Sequence, residues 1–187
     1  MDKMFKTTQS GRTMIETIGV IGIISMVTMG LIKTVSVMFD KYKQTMAVEQ
    51  IRSLQKNIRT RYAALNDYSG INFDSLSDDD KKKLIEERTF PSSIVRGNEL
   101  YNSYGGKIGI TSTERTYSIT FNYLKAEGCR DLLVIDWAVN NTSDLIELKY
   151  GGKTYKWTDN TLPLSMTTAM NVCKNKQSEN SITWTFQ

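Results

Sequence analysis

The chain has 187 residues, enough for one head domain of ordinary size plus an appendage; its mean hydropathy is −0.36, yet its apolar residues crowd toward the N-terminus. Its net charge of +4 is spread from Lys33 to Arg61, over Lys81, Lys82 and Lys83, and along the tail. That is thinner than a nucleic-acid footprint, so nucleic acid is not an expected partner. Histidine is absent and cysteine occurs twice, which excludes the usual metal-ligand sets and histidine-based triads; no cofactor, metal or enzymatic activity is expected.

The first element is a short polar segment, residues 1–11, carrying Lys3 and Lys6. An apolar stretch follows abruptly. Between Glu16 and Lys33 lie 16 uncharged residues, about 24 Å of helix, and residues 34–39 extend it if Lys33 snorkels. A secretory signal peptide has the same general form, but no small-x-small cleavage site follows the run and the run exceeds a typical signal core. Retention as an anchor is expected. Glu16 then stands out, because a carboxylate at the edge of a lipid-compatible helix costs ~2.5 to 3.5 kcal/mol on insertion scales. A cut between Gly11 and Arg12 would create an α-amino group about 6 Å along the helix from Glu16, and a neighbouring copy could offer the same positive group.

Gly11 followed by Arg12-Thr13-Met14-Ile15-Glu16, with the run from Ile18 to Ile24, resembles the processing site and apolar stretch of type IV prepilins and pseudopilins. The resemblance implies a leader at 1–11 removed by a prepilin peptidase after Gly11. It further implies N-methylation of the new first residue and a role for Glu16 in registering neighbouring subunits. Arg12 departs from the pattern, since that position is usually phenylalanine or methionine. Flanking charges do not fix orientation, with Lys3, Lys6 and Arg12 before the segment and Lys33, Lys41 and Lys43 after it. The resemblance implies a cytoplasmic leader and an extracytoplasmic head.

Beyond Phe39, apolar residues recur every three or four positions at Ala47, Ile51, Leu54, Ile58, Tyr62 and Leu65, while Lys43, Glu49, Arg52, Lys56, Arg59 and Arg61 take the other faces. No proline occurs before Pro91, so one helix is expected from Thr13 to about Leu65. Its apolar part is 12–39 and its amphipathic part 40–66. Gly19, Gly22 and Gly30 each weaken it by up to ~1 kcal/mol relative to alanine. Residues 67–104 read as polar and irregular, apart from a short helix over Asp78–Glu87 behind Ser77 as N-cap and ended by Pro91.

Lys107–Thr111 and Thr116–Asn122 predict a hairpin around Thr113-Glu114-Arg115, and a short helix is expected over Cys129–Val134. Leu145–Tyr150 and Lys153–Trp157 flank Gly151-Gly152, a turn of the hairpin kind. Ser165–Cys173 reads as helical and Ser181–Phe186 as a closing strand. Cys129 and Cys173, 44 positions apart, form one disulfide of about 4 kcal/mol if the head lies in an oxidising compartment, and stay free thiols if it is cytosolic. The expected fold is α+β: a long N-terminal spine helix packed on an antiparallel β-sheet head at 67–187.

Tyr104-Gly105-Gly106-Lys107-Ile108, the hairpin after it, Cys129 and the late Cys173 before a final strand look like a type IVb pilin head. The resemblance implies a pilus subunit that is anchored in the bacterial inner membrane as precursor and then self-assembles into a helical filament. Its partners would be a peptidase, a platform and ATPase machinery, and minor pilins. Alternatives are a pseudopilin of a type II secretion system, or a minor or tip pilin whose head binds through Tyr101, Tyr104, Trp157 and Trp184, although core packing is the commoner role of such aromatics. A tethered enzyme using Asp78, Asp79 and Asp80 is the remaining reading, though such an acidic run belongs naturally at a helix N-terminus.

Overall fold

With no proline before Pro91, an apolar run passes directly into an amphipathic one, and the result is a single helix, α1 (Met14–Tyr62). The computed structural model describes residues 14–62, 64, 65, 67–137, 144–159, 161–173 and 180–187. Gly11 and Arg12 lie outside them. The chain forms two compact units, Met1–Asp40 and Lys41–Gln187.

In the first unit, residues 16–32 and 34–40 are all exposed, with Glu16 in the first turn of α1. Three hydroxyls turn back onto the helix: Ser25 Oγ donates to the Ile21 carbonyl at 2.8 Å, Thr34 Oγ1 to that of Gly30 at 3.1 Å, and Thr28 Oγ1 to that of Ile24. Such back-bonding hides polar atoms that an apolar surrounding would penalise.

The second unit is built on a five-stranded antiparallel sheet of order β3-β4-β7-β5-β6. Its strands are β3 (Ile108–Ser112), β4 (Tyr117–Leu124), β5 (Leu145–Tyr150), β6 (Lys153–Lys156) and β7 (Asn180–Phe186); a small separate hairpin pairs β1 (Val95–Arg96) with β2 (Glu99–Leu100). Among the described residues, the head's short α-helices are α2 (Asp78–Glu86), α3 (Ala126–Leu133) and α4 (Met166–Val172). The C-terminal strand is central. β7 pairs with β4 through Ile119↔Trp184 and with β5 through Leu148↔Trp184, so the last residues of the chain join its two hairpins.

Strand alternation sorts the sheet into two faces. Ile108, Ile110, Ile119, Phe121, Leu148, Ile182 and Trp184 are buried in one cluster with Ala47, Ile51, Leu54 and Ile58 of α1. The stripe is therefore the helix's side of the core. On the other face, Ser118 and Thr185 share a hydrogen bond of 3.0 Å, and Thr120 and Thr183 one of 2.9 Å. The turn from β5 to β6 places Gly151 at φ +56° and Gly152 at φ +76°, the left-handed pair that a two-residue hairpin favours.

Leu65 departs from the expected stripe. The helix ends at Tyr62, Leu65 N–H donates to the Tyr62 carbonyl at 3.0 Å, and the chain turns, leaving Leu65 67% exposed and out of helical phase. Ser77 caps α2, accepting from Asp80 N–H at 3.3 Å, and Ser165 caps α4 by accepting from Thr168 N–H at 3.2 Å.

Candidate functional site

Two regions concentrate the features singled out in the sequence: the exposed apolar helix, and the glycine loop with its neighbouring disulfide. In the first, an 18-residue window averages a hydropathy of 2.0 with none of it buried, and Ile18, Ile23, Met26, Met29 and Ile32 are each more than 60% exposed. By length and composition this segment can cross a membrane. Each large apolar side chain withdrawn fully from water contributes about 1.5–3 kcal/mol, so the surface favours lipid or a like surface over solvent. Glu16 sits where the positive end of the helix dipole favours an acid, and it is the one carboxylate among residues 16–32.

In the head, the loop from Tyr101 to Lys107 is held by a polar clamp. Asn102 is 1% exposed: its amide donates to the Asn122 carbonyl at 2.8 Å, and its Oδ1 accepts from Tyr104 N–H at 2.9 Å and Gly106 N–H at 3.1 Å. Ser103 then ties the loop to α1, donating through its backbone N–H to Gln50 Oε1 at 3.0 Å and through its hydroxyl to the Lys43 carbonyl at 2.7 Å. A buried amide whose donors and acceptors are filled this way fixes one loop geometry.

The glycines around that loop answer to close approach. A Cβ on Gly106 would lie 1.9 Å from the Asn122 carbonyl oxygen, and one on Gly128 would lie 2.7 Å from the Tyr104 ring. Tyr104 thus seats on α3 beside Cys129. Cys129 is bonded to Cys173 at the end of α4, with 6.0 Å between their Cα atoms and both residues buried. The Tyr150 hydroxyl of β5 lies 2.9 Å from the Val172 carbonyl and 2.6 Å from Asn180 Oδ1, its one proton shared between these two acceptors, and so joins the end of α4 to β7. Burial raises its hydroxyl pKa above the ordinary value.

The four aromatics proposed as an adhesive surface do not assemble. Trp184 is fully buried, edge-on to Phe121 and Trp137 at 5.5 Å, because β7 is the central strand and turns its alternate residues inward. Tyr101 is stacked by Arg96 at 5.2 Å and Tyr104 lies against Gly128; only Trp157 is openly exposed, at 40%. The acidic run is a helix start: Asp80 accepts from the Ser77 hydroxyl at 2.8 Å and pairs with Lys83 at 3.1 Å, contacts that lower its pKa.

Sequence reasoning missed the Asn102 clamp and Asp74. Asp74 Oδ1 accepts from Ile110 N–H at 3.2 Å, giving the edge strand β3 a partner where another strand could have paired. Desolvation raises the pKa of this carboxyl against the opposing effect of that hydrogen bond. The available signal for the clamp was an asparagine two positions before Tyr104-Gly105-Gly106, with Ser103 between them; Asp74 gave none.

A family description, PilS N terminal, matches residues 41–187. No curated protein matches the chain by sequence. Among solved structures, TcpA, a type IV pilin from Vibrio cholerae El Tor biotype, is similar at 14% identity and a TM-score of 0.49, over 78% of this chain and 99% of that one. A type IVb pilin from Salmonella typhi is similar at 14% identity and a TM-score of 0.47, over 74% of this chain and 97% of that one. The family match over residues 41–187 agrees with the pilin resemblance read from the sequence.

Proposed function

The chain belongs to the PilS N-terminal family, and from that premise we propose that it is the precursor of a structural subunit of a type IVb-like pilus. The carrying observation is the fully exposed apolar run of α1, headed by the lone acid Glu16. In this reading the segment anchors the precursor in the bacterial inner membrane as a single pass with an extracytoplasmic head. A prepilin peptidase cuts after Gly11, platform and ATPase machinery extract the subunit, and the same apolar surface then packs against sister helices. Glu16 pairs with the α-amino group of a neighbouring Arg12, which offsets the cost of its burial. The buried disulfide supports the extracytoplasmic placement, since such bonds persist in oxidising compartments.

Mass spectrometry of the mature protein tests the processing step, with Arg12 as the expected first residue. A chain beginning at Met1, or beyond Lys33, refutes it. Replacing Glu16 by alanine is expected to abolish filaments in the sheared fraction while the subunit still accumulates in the membrane; normal filaments from that variant would remove the registry role.

A further inference from the structure

Several exposed charges of the head form no ion pair among the described residues, and two groups of them, of opposite sign, stand on different elements. On α1, Arg59 pairs with Asp144 at 2.6 Å and Arg61 with Glu87 at 2.8 Å, but Arg52 and Lys56 are exposed and form no ion pair among the described residues. They stand four positions apart, a spacing at which like charges repel and weaken a helix. Both line a groove of about 590 Å³ with Thr45, Ser53 and a single acid, Glu49. Ser53 also borders a second groove of about 690 Å³, lined by Asn57, Ser92, Ser93 and Arg88, an exposed cation that forms no ion pair among the described residues.

The acidic set is on α2. Asp78 and Asp79 are exposed in its first turn and form no ion pair among the described residues. The nearby lysines are engaged elsewhere: Lys83 with Asp80 at 3.1 Å, Lys82 with Glu86 at 3.9 Å, and Lys81 with Glu99 at 3.5 Å. The helix dipole favours acids in this turn, but it supplies no counter-cation.

We propose that in the filament the Asp78–Asp79 turn of one copy docks against the Arg52, Lys56 and Arg88 grooves of the next. This rests on the polymerising-subunit reading. A polymer that grows in one direction repeats a heterologous contact, so each copy presents two different faces that complement each other. Arg52 and Lys56 on α1 with Arg88 beyond α2, set against Asp78 and Asp79 on α2, meet that requirement within one copy. A polyanion in the grooves would account for the cations and leave the acids unanswered. Charge complementarity of this kind sets register and excludes wrong alignments.

The test is a charge-reversal cycle in the full-length protein in cells that assemble it. The variants are Arg52→Glu with Lys56→Glu, Asp78→Lys with Asp79→Lys, and all four together. Sheared filament yield is read against the membrane level of subunit with its disulfide intact, so that a folding defect registers separately. Each pair alone is expected to lower the yield at least about tenfold and the fourfold variant to recover most of it. Zero-length carbodiimide coupling of filaments grown from mixed isotopically light and heavy subunits is expected to yield Lys56 linked to Asp78 or Asp79 with mixed labels. Reversals that leave the yield within about twofold, or a fourfold variant no better than either pair, overturn the interface. So do links that always carry one label, or loss of binding to DNA or anionic vesicles with filaments unchanged. Absence of wild-type filaments refutes the subunit reading itself; normal but charge-insensitive filaments refute only this contact.

Discussion

Replacing Gly106 with alanine isolates the close approach on which the Tyr104-Gly105-Gly106 loop depends. The added Cβ would meet the Asn122 carbonyl oxygen at 1.9 Å, the Asn122 carbonyl carbon at 2.6 Å and the Tyr123 Cβ at 2.6 Å. None of these is a flexible side-chain end, so no rotamer change relieves the overlap and the loop must leave β4. Forced overpacking costs about 1–3 kcal/mol, and the hydrogen bond of 3.1 Å from Gly106 N–H to Asn102 adds about 1 kcal/mol when lost. A total near 3 kcal/mol is expected. Gly105→Ala is the internal control: its φ is +91° with open space around the added atom, so its cost is backbone strain alone, about 1–2 kcal/mol. Urea unfolding followed by tryptophan fluorescence reports both, since Trp184 is 0% exposed in the core and brightens or shifts only when the core opens. A Gly106→Ala variant within about 0.5 kcal/mol of wild type would refute the argument. A Gly105→Ala variant as damaged as Gly106→Ala would show that conformation, rather than contact, governs the loop.

Two further outcomes follow from the head. Reducing the Cys129–Cys173 bond, or replacing Cys173 with serine, is expected to lower stability by about 4 kcal/mol, read as a lower urea midpoint under reducing than under oxidising conditions. Tyr117→Phe is expected to stay within about 1 kcal/mol of wild type at neutral pH, because the Tyr117 hydroxyl is buried and has no hydrogen-bond partner among the described residues. Above pH 10 the two should diverge. Burial holds the Tyr117 hydroxyl protonated in the folded state, while the unfolded chain ionises it at its ordinary value of 10.0. Stability contributed by the folded protonated form is then lost as pH rises from about 10 upward. Burial also raises the pKa values of Tyr62 and Tyr150, so the variant should lose less stability with pH than wild type without becoming pH-independent.

What was legible in the sequence had a period; what was missed depended on contacts between distant segments. The stripe at Ala47, Ile51, Leu54 and Ile58 is buried because positions three and four apart share one face of a helix, and that rule works without knowing what covers the face. It failed at Leu65 for a local reason, since the helix had already turned off at Tyr62. Gly151-Gly152 marked a hairpin because a two-residue connection has few solutions, both written in the local backbone. The place of β7 is different in kind. Ser181–Phe186 reads as a strand by alternation, but nothing local to it says that it enters between β4 and β5, which is what leaves Trp184, like Phe121, 0% exposed in the core. The Asn102 clamp is non-local in the same way. Beside its local acceptance from Tyr104 and Gly106, its amide donates to the Asn122 carbonyl on β4, 20 positions on, and its loop is tied to Gln50 of α1 at a separation of 53 residues. The 67–104 stretch, read as irregular apart from α2, also holds the two-residue strands β1 and β2, too short for alternation to register. Exposed features behave oppositely. Residues 16–32 and 34–40 carry an apolar pattern that no described residue of their own unit covers, and Arg52, Lys56, Asp78 and Asp79 carry charges that no ion pair among the described residues answers. Water solvates the charges but not the apolar run, so the run requires a second molecule while the charges only permit one, and the two are tested separately.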